Sequence, residues 1–287
     1  MIRKTLLTLS FLALSAVSSP ALVVVISDLS SGSASSTIAD FFTDNFINVT
    51  EIRHGNFANF SAAASQDALN GTGIYAGGGP ADVFVIGRSL GSGEYDSGAS
   101  DGYNALTIPF INFTSYTARQ DGNRLGWHAS GATGDKSVAG AETTVTAAGS
   151  TIFGVAPGTY DFYAGNPSNT FNGLGAGTSA YGDGQILATI GGDTLAAFWA
   201  AGDAPGNPTN AGVATFPANR LLFNLDNDPN SGNNGANDFT NLTPAGMEAL
   251  VSAVAFATPL VAIPEPSKAM LSLTGLALLF CRRHRRC

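Results

Sequence analysis

The chain has 287 residues, a formal net charge of −8 and a composition that is 44% hydrophobic but only 12% charged. It is too apolar for a disordered polymer and long enough for one sizeable domain. The acidic balance excludes the basic footprint of a nucleic-acid binder, and with Cys281 and Cys287 the only cysteines, the body has neither a disulfide nor a thiol nucleophile.

Residues 1–21 have the three parts of a secretory signal peptide. Arg3 and Lys4 form the charged start, Leu6 to Val17 the apolar centre, and Ser19, Pro20 and Ala21 the small-residue end. This predicts handling by the secretion machinery and cleavage after Ala21. The body, residues 22–262, then carries 20 Asp and Glu against 6 Lys and Arg, a net charge of −14.

Leu22 to Ser27 is a continuous β-branched run, the pattern of a strand buried on both faces. Ile38, Phe41, Phe42 and Phe46 recur at helical spacing and predict a helix over Thr37–Phe46. Ile47 to Arg53 alternates as a strand, completing a β-α-β unit. After a Gly-rich loop from Asn70 to Pro80, Ala81–Gly87 and Thr107–Phe113 read as further buried strands, with one helical turn between them at Asp101–Leu106. Gly77, Gly78 and Gly79 lack the Lys and the strand-to-helix setting of a phosphate cradle and read as a turn.

In the second half, Thr143–Ala147, Ser150–Val155, Thr159–Ala164, Gln185–Ile190, Thr194–Ala200 and Arg220–Leu225 read as short strands joined by Gly and Asn turns. Leu242–Phe256 reads as a closing helix capped by Thr243, with Pro244 in its first turn. The expected fold is a single α/β domain with a mainly parallel sheet, helices on both faces and extra short strands in the second half.

Two clusters carry candidate chemistry. Arg88, Arg119, Asp121 and His128, beside Trp127, fall at or just past predicted strand ends, where α/β sheets bind ligands. They suit a sugar or an acid group, or form an Arg–Asp network that orders a loop. Asp226, Asp228, Asn230 and Asp238 offer alternating oxygen ligands for calcium, the one cofactor the residues suggest; an Asn/Gly-rich surface loop is the other reading.

The last residues, 263–287, begin Ile-Pro-Glu-Pro-Ser, continue into an apolar run over 269–281 and end in a basic cluster. At about 1.5 Å per residue the run covers roughly 20 Å, short of the roughly 30 Å hydrocarbon core. Four arginines after it put the C-terminus on the cytoplasmic side. The segment resembles the PEP-CTERM sorting signal of Gram-negative bacteria: Pro264, Glu265 and Pro266 give the motif, 269–281 the short transmembrane segment, and Arg282, Arg283, Arg285 and Arg286 the basic end. The resemblance implies recognition and cutting by an exosortase-type enzyme, transient anchoring in the inner membrane, release to the cell surface or extracellular space, and association with exopolysaccharide.

The body resembles the class I glutamine amidotransferase-like fold, including its ThuA-like branch. Val23–Asp28, Asp82–Ser89, Ile108–Ser115, Arg220–Leu225 and Leu242–Leu250 carry the likeness. That family implies a Cys nucleophile on a Gly-flanked turn with His and Glu partners. Here the matching turn, Asn112–Thr117, has neither Cys nor Gly, so Ser115 is the remaining nucleophile candidate, with His54 and His128 the available histidines. The expectation is an exported cell-surface or matrix protein that is non-enzymatic and binds carbohydrate. The alternatives are a hydrolase or sugar-modifying enzyme with its site at the strand ends, and a calcium-stabilised structural module.

Overall fold

The computed structural model of the protein describes residues 21–28, 33–87, 95, 99–120, 124–131, 135–137, 142–163, 170–225, 239 and 242–263. The first strand, β1 (Leu22–Ser27), is buried along its whole length, as its β-branched run requires. The helix α1 (Ser33–Asn45) leads to β2 (Val49–Gly55), which pairs parallel with β1. A helix not foreseen from the sequence, α2 (Ala63–Asn70), precedes β3 (Val83–Ile86); α3 (Ala99–Asn104), β4 (Phe110–Asn112) and α4 (Ser115–Ala118) follow.

The second half contributes β5 (Asp135–Ser137), β6 (Thr143–Val145), α5 (Ala147–Phe153), β7 (Gly158–Tyr160) and β8 (Thr170–Asn172). Then come β9 (Gln185–Ile190), β10 (Asp193–Trp199), α6 (Pro208–Ala211), β11 (Arg220–Phe223) and α7 (Pro244–Ala257). Thr243 caps α7 by accepting from the Gly246 N–H at 3.2 Å.

Among the described residues, nine strands form one sheet in the order β2-β1-β3-β4-β11-β10-β9-β6-β7, and β5 pairs with β8 apart from it. The five strands from β2 to β11 are parallel. The four beyond them are antiparallel. The sheet is therefore mixed rather than mainly parallel. The physical reason is loop length: β9 and β10 are joined by the Gly191–Gly192 turn, which permits only a hairpin, whereas parallel strands need long crossovers.

A second correction concerns Ser150–Val155, expected as a strand and found largely within α5. Thr146 caps this helix by accepting from the Gly149 N–H at 3.0 Å, and Gly154 closes it in the left-handed region at φ 71°. Ile152 and Phe153, which suggested a strand, are its buried face.

Alternation sorts the strand side chains into two cores. Leu22, Val24 and Ile26 join Phe41, Phe42 and Leu250 on the face covered by α1, α5 and α7. Val25, Phe84 and Phe110 join Leu69, Tyr103 and Trp127 on the other. The described chain ends tied to the body: Phe46 bridges Ala262, the Ile47 N–H donates to the Val261 carbonyl at 3.0 Å, and the Ile263 N–H donates to the Asn45 carbonyl at 2.7 Å. No helix among the described residues is long and apolar enough to cross a membrane. The predicted leader at 1–21, apart from Ala21, and the apolar run at 269–281 lie outside them.

Candidate functional site

The strand order reverses between β1 and β3, and α/β sheets open a ligand crevice at the carboxyl ends of strands at such a point. Five strand ends deliver the side chains there. In register, Ile26 stands beside His54, Ser27 beside Ile86, and Ile86 beside Asn112. Alternation then aims Asp28 and His54 to the α1 face and Ser27, Asn112 and Asn224 to the opposite one.

On the α1 face, Asp28 is buried and its N–H donates to the Gly55 carbonyl at 3.0 Å. Gly87, at the end of β3, makes room for it. A Cβ there would lie 2.5 Å from a carboxylate oxygen of Asp28, closer than real Cβ contacts allow. His54 sits beside this carboxylate, with Nε2 buried and without a hydrogen-bond partner among the described residues. Burial pushes the His54 imidazole below its ordinary range, and the Asp28 charge opposes part of that shift.

On the other face, Ser27 Oγ accepts from the Tyr95 hydroxyl at 2.8 Å and from the Phe57 N–H at 3.0 Å. Asn112 Oδ1 accepts from the Thr114 N–H and the Thr117 hydroxyl, both at 3.0 Å, and Asn224 Oδ1 accepts from the Ser115 N–H at 3.2 Å. The Asn224 bond ties the end of β11 to the start of α4, and the Asn112 bonds fix the turn between β4 and α4.

The structure describes three of the five residues singled out as catalytic candidates. Ser115 opens α4 with its side chain fully buried, behind Thr114, whose hydroxyl caps the helix. The Arg119 guanidinium lies over the Tyr116 ring, 5.0 Å from its centroid. His128 is buried against Tyr181. Its Nδ1 accepts from the Ser130 N–H at 3.1 Å and its Nε2 lies 3.2 Å from the Gly175 carbonyl, so one tautomer commits both ring nitrogens to main chain. That leaves neither nitrogen to activate Ser115. Trp127, read with His128 as part of a ligand cluster, is core: its indole N–H donates to Asn104 Oδ1 at 2.8 Å. Arg88 and Asp121 lie outside the described residues. So do Asp226, Asp228, Asn230 and Asp238, and so do Pro264, Glu265, Pro266 and the four arginines of the expected sorting signal. No group of three metal-ligating side chains occurs among the described residues.

Two buried cations serve the fold. Arg53 pairs with Glu51 at 2.8 Å and donates to the carbonyls of Ala68 at 2.6 Å and Gly79 at 2.7 Å, pinning the Gly-rich loop to β2. This hydrogen bond from Arg53 holds the Glu51 carboxyl below its usual range. Arg220 donates to the carbonyls of Ile108, Ala218, Asn219, Asn104 and Leu106. Burial pushes its guanidinium down to about 9, so it stays charged at neutral pH.

Away from the strand ends, a groove of about 220 Å³ runs beside α1. Asp40, Asp44 and Asn45 line it together with Phe41, Phe239 and Met247, and the Phe41 and Phe239 rings stack with centroids 4.8 Å apart. Helical spacing marks Phe41 as core and says nothing of a groove. The signal for the groove was the acidic pair one helical turn apart.

No family model matches the chain, and no curated protein matches it. Two solved structures are similar. One is a cytoplasmic protein from Salmonella typhimurium, 14% identical, with a TM-score of 0.47 over 83% of this chain and 99% of that one. The other is a protein from Bacteroides uniformis described as ThuA-like, 11% identical, with a TM-score of 0.47 over 84% of this chain and 96% of that one.

Proposed function

We propose that the protein is an exported cell-surface or matrix protein, sorted by its C-terminal signal, whose body binds carbohydrate rather than catalysing a reaction. The observation that carries the sorting half is the tail: Pro-Glu-Pro at 264–266, a short apolar run and four arginines, in that order. The cytoplasmic basic end places the body on the far side of the inner membrane, where a signal peptide delivers it. An exosortase-type enzyme is its processing partner and exopolysaccharide its surrounding matrix.

The binding half draws support from two sites. The groove beside α1 sets two carboxylates and an amide over an aromatic floor, hydrogen-bonding groups suited to sugar hydroxyls. The commitment of both His128 nitrogens to main chain speaks for binding over Ser115-based hydrolysis. In fold, the parallel half has the order 2-1-3-4-5 of flavodoxin-like sheets, and we take the body as an amidotransferase-like variant without its nucleophile.

The test is fractionation of cells producing the full chain or a chain lacking residues 263–287. Loss of the tail is expected to shift the protein from cell envelope to medium, and unchanged retention overturns the sorting reading. A double variant, Asp40→Ala with Asp44→Ala, is expected to lose retention on the cells' own exopolysaccharide. Retention equal to the parent removes the groove from the proposal.

A further inference from the structure

Five large hydrophobic side chains are exposed among the described residues: Ile47, Ile74, Phe256, Val261 and Ile263. All belong to segments at the edge where the parallel strands begin. Ile47 precedes β2, Ile74 sits in the loop between α2 and β3, Phe256 lies in the last turn of α7, and Val261 and Ile263 follow it. The opposite edge, where the strands end, carries the polar groups described above.

Three of the five form a defined surface. Phe46 bridges Ala262 in antiparallel fashion, which sets Ile47 opposite Val261 and Asn45 opposite Ile263. Phe46 turns inward and is buried, so the alternate positions Ile47, Val261 and Ile263 turn outward. They are 60%, 41% and 42% exposed. Three β-branched side chains together, one cross-strand pair and its neighbour, facing water, are what a sheet normally buries or interrupts with charge.

The position of this surface on the chain says what covers it. Main-chain bonds hold the body as far as Ile263, and the apolar run begins at Ala269. At about 3.3–3.6 Å per extended residue, the intervening stretch spans at most about 20 Å. If the run is inserted in a bilayer, this edge, and no other, is held next to the lipid.

We infer that the Ile47–Val261–Ile263 surface rests on the membrane, in the interface of a zwitterionic phospholipid bilayer, while the tail is inserted. The inference depends on the tail being a membrane segment. Apolar side chains supply the contact, as they do for interfacial segments that sink roughly 5–10 Å into the headgroup boundary. Asp40 and Asp44, on the adjoining helix, and the body's net charge of −14 disfavour an anionic surface. The body is then docked rather than tethered loosely, with its strand-end crevice pointing away from the bilayer.

The experiment uses the full chain with Cys281→Ser and Cys287→Ser, labelled with an environment-sensitive fluorophore at Ile47→Cys or, as a control, at the exposed Asn59→Cys past the end of β2. The protein is reconstituted into phosphatidylcholine vesicles with and without brominated acyl chains, and flotation is scored beside emission. Flotation with quenching at residue 47 and none at residue 59 supports the inference. Flotation with equal emission at both positions overturns it while leaving the tail reading intact. Quenching at 47 only in crowded vesicles, lost on dilution with lipid, marks a second copy as the occupant and also overturns it. Failure to float defeats the tail reading itself, and this inference with it.

Discussion

The guanidinium of Arg220 is fully buried; its two terminal nitrogens donate to five main-chain carbonyls, its Nε has no hydrogen-bond partner among the described residues, and the rings of Phe110 and Phe216 lie within 6 Å of its charge. A cation held this way joins β11 to the segment between α3 and β4. Arg220→Met keeps volume but leaves the carbonyls bare, and each buried unpaired group costs about 1–3 kcal/mol. The expected loss is about 3 kcal/mol or more, read from the urea midpoint; a loss under about 1 kcal/mol means that water reaches these carbonyls. His54 gives a pH signature. Its folded-state pKa lies below that of the unfolded chain, so in the window beneath about 6.5 the unfolded state binds the extra proton. Stability is therefore complete above that window and falls as pH drops through it. Melting temperatures between pH 8 and 5 should decline for the parent more steeply than for His54→Gln, and parallel curves would show that His54 is hydrated. Neither role is readable from the residue alone. Arg220 looked like the start of an ordinary strand and His54 like a spare imidazole, because the partners that define them lie up to 116 residues away in the chain.

Element by element, what could be read depended on the range of the interactions involved. β1, β9 and α7 were expected at nearly their observed bounds, because short apolar runs rich in β-branched residues and a Thr-Pro cap act locally. α2 went unforeseen, since its sequence, Ala-Ala-Ser-Gln-Asp-Ala-Leu-Asn, has few apolar residues to mark a face. α5 was mistaken for a strand because Ile152 and Phe153 have strand chemistry, while the cap at Thr146 and the close approach of Gly149 to β9 settle the matter in three dimensions. A Cβ on Gly149 would lie 1.9 Å from the Leu187 carbonyl oxygen. Gly149→Ala must lift α5 from the sheet, against the gain in helix propensity that Ala brings. The expected outcome is a loss of about 1–3 kcal/mol in chemical unfolding; a stabilised variant would show that α5 shifts at no cost.

For the molecule as a whole, the two edges of the sheet have different characters: polar groups at the strand ends, exposed apolar side chains and the exit of the tail at the strand beginnings. The destination proposed for the protein rests on local features, the predicted leader, the Pro-Glu-Pro triplet, the apolar run and the arginines, because export and sorting signals are short linear segments. The sequence by itself also determined that the body is α/β, acidic and without a cysteine. Only the tertiary structure decided that the sheet is half antiparallel, that His128 is bound to main chain, that Asp28 and His54 meet at the ends of β1 and β2, and that Ile47 and Ile263 share a surface. Each of these depends on pairing between distant segments, and pairing is set by how all the apolar faces are buried together rather than by any one stretch of chain.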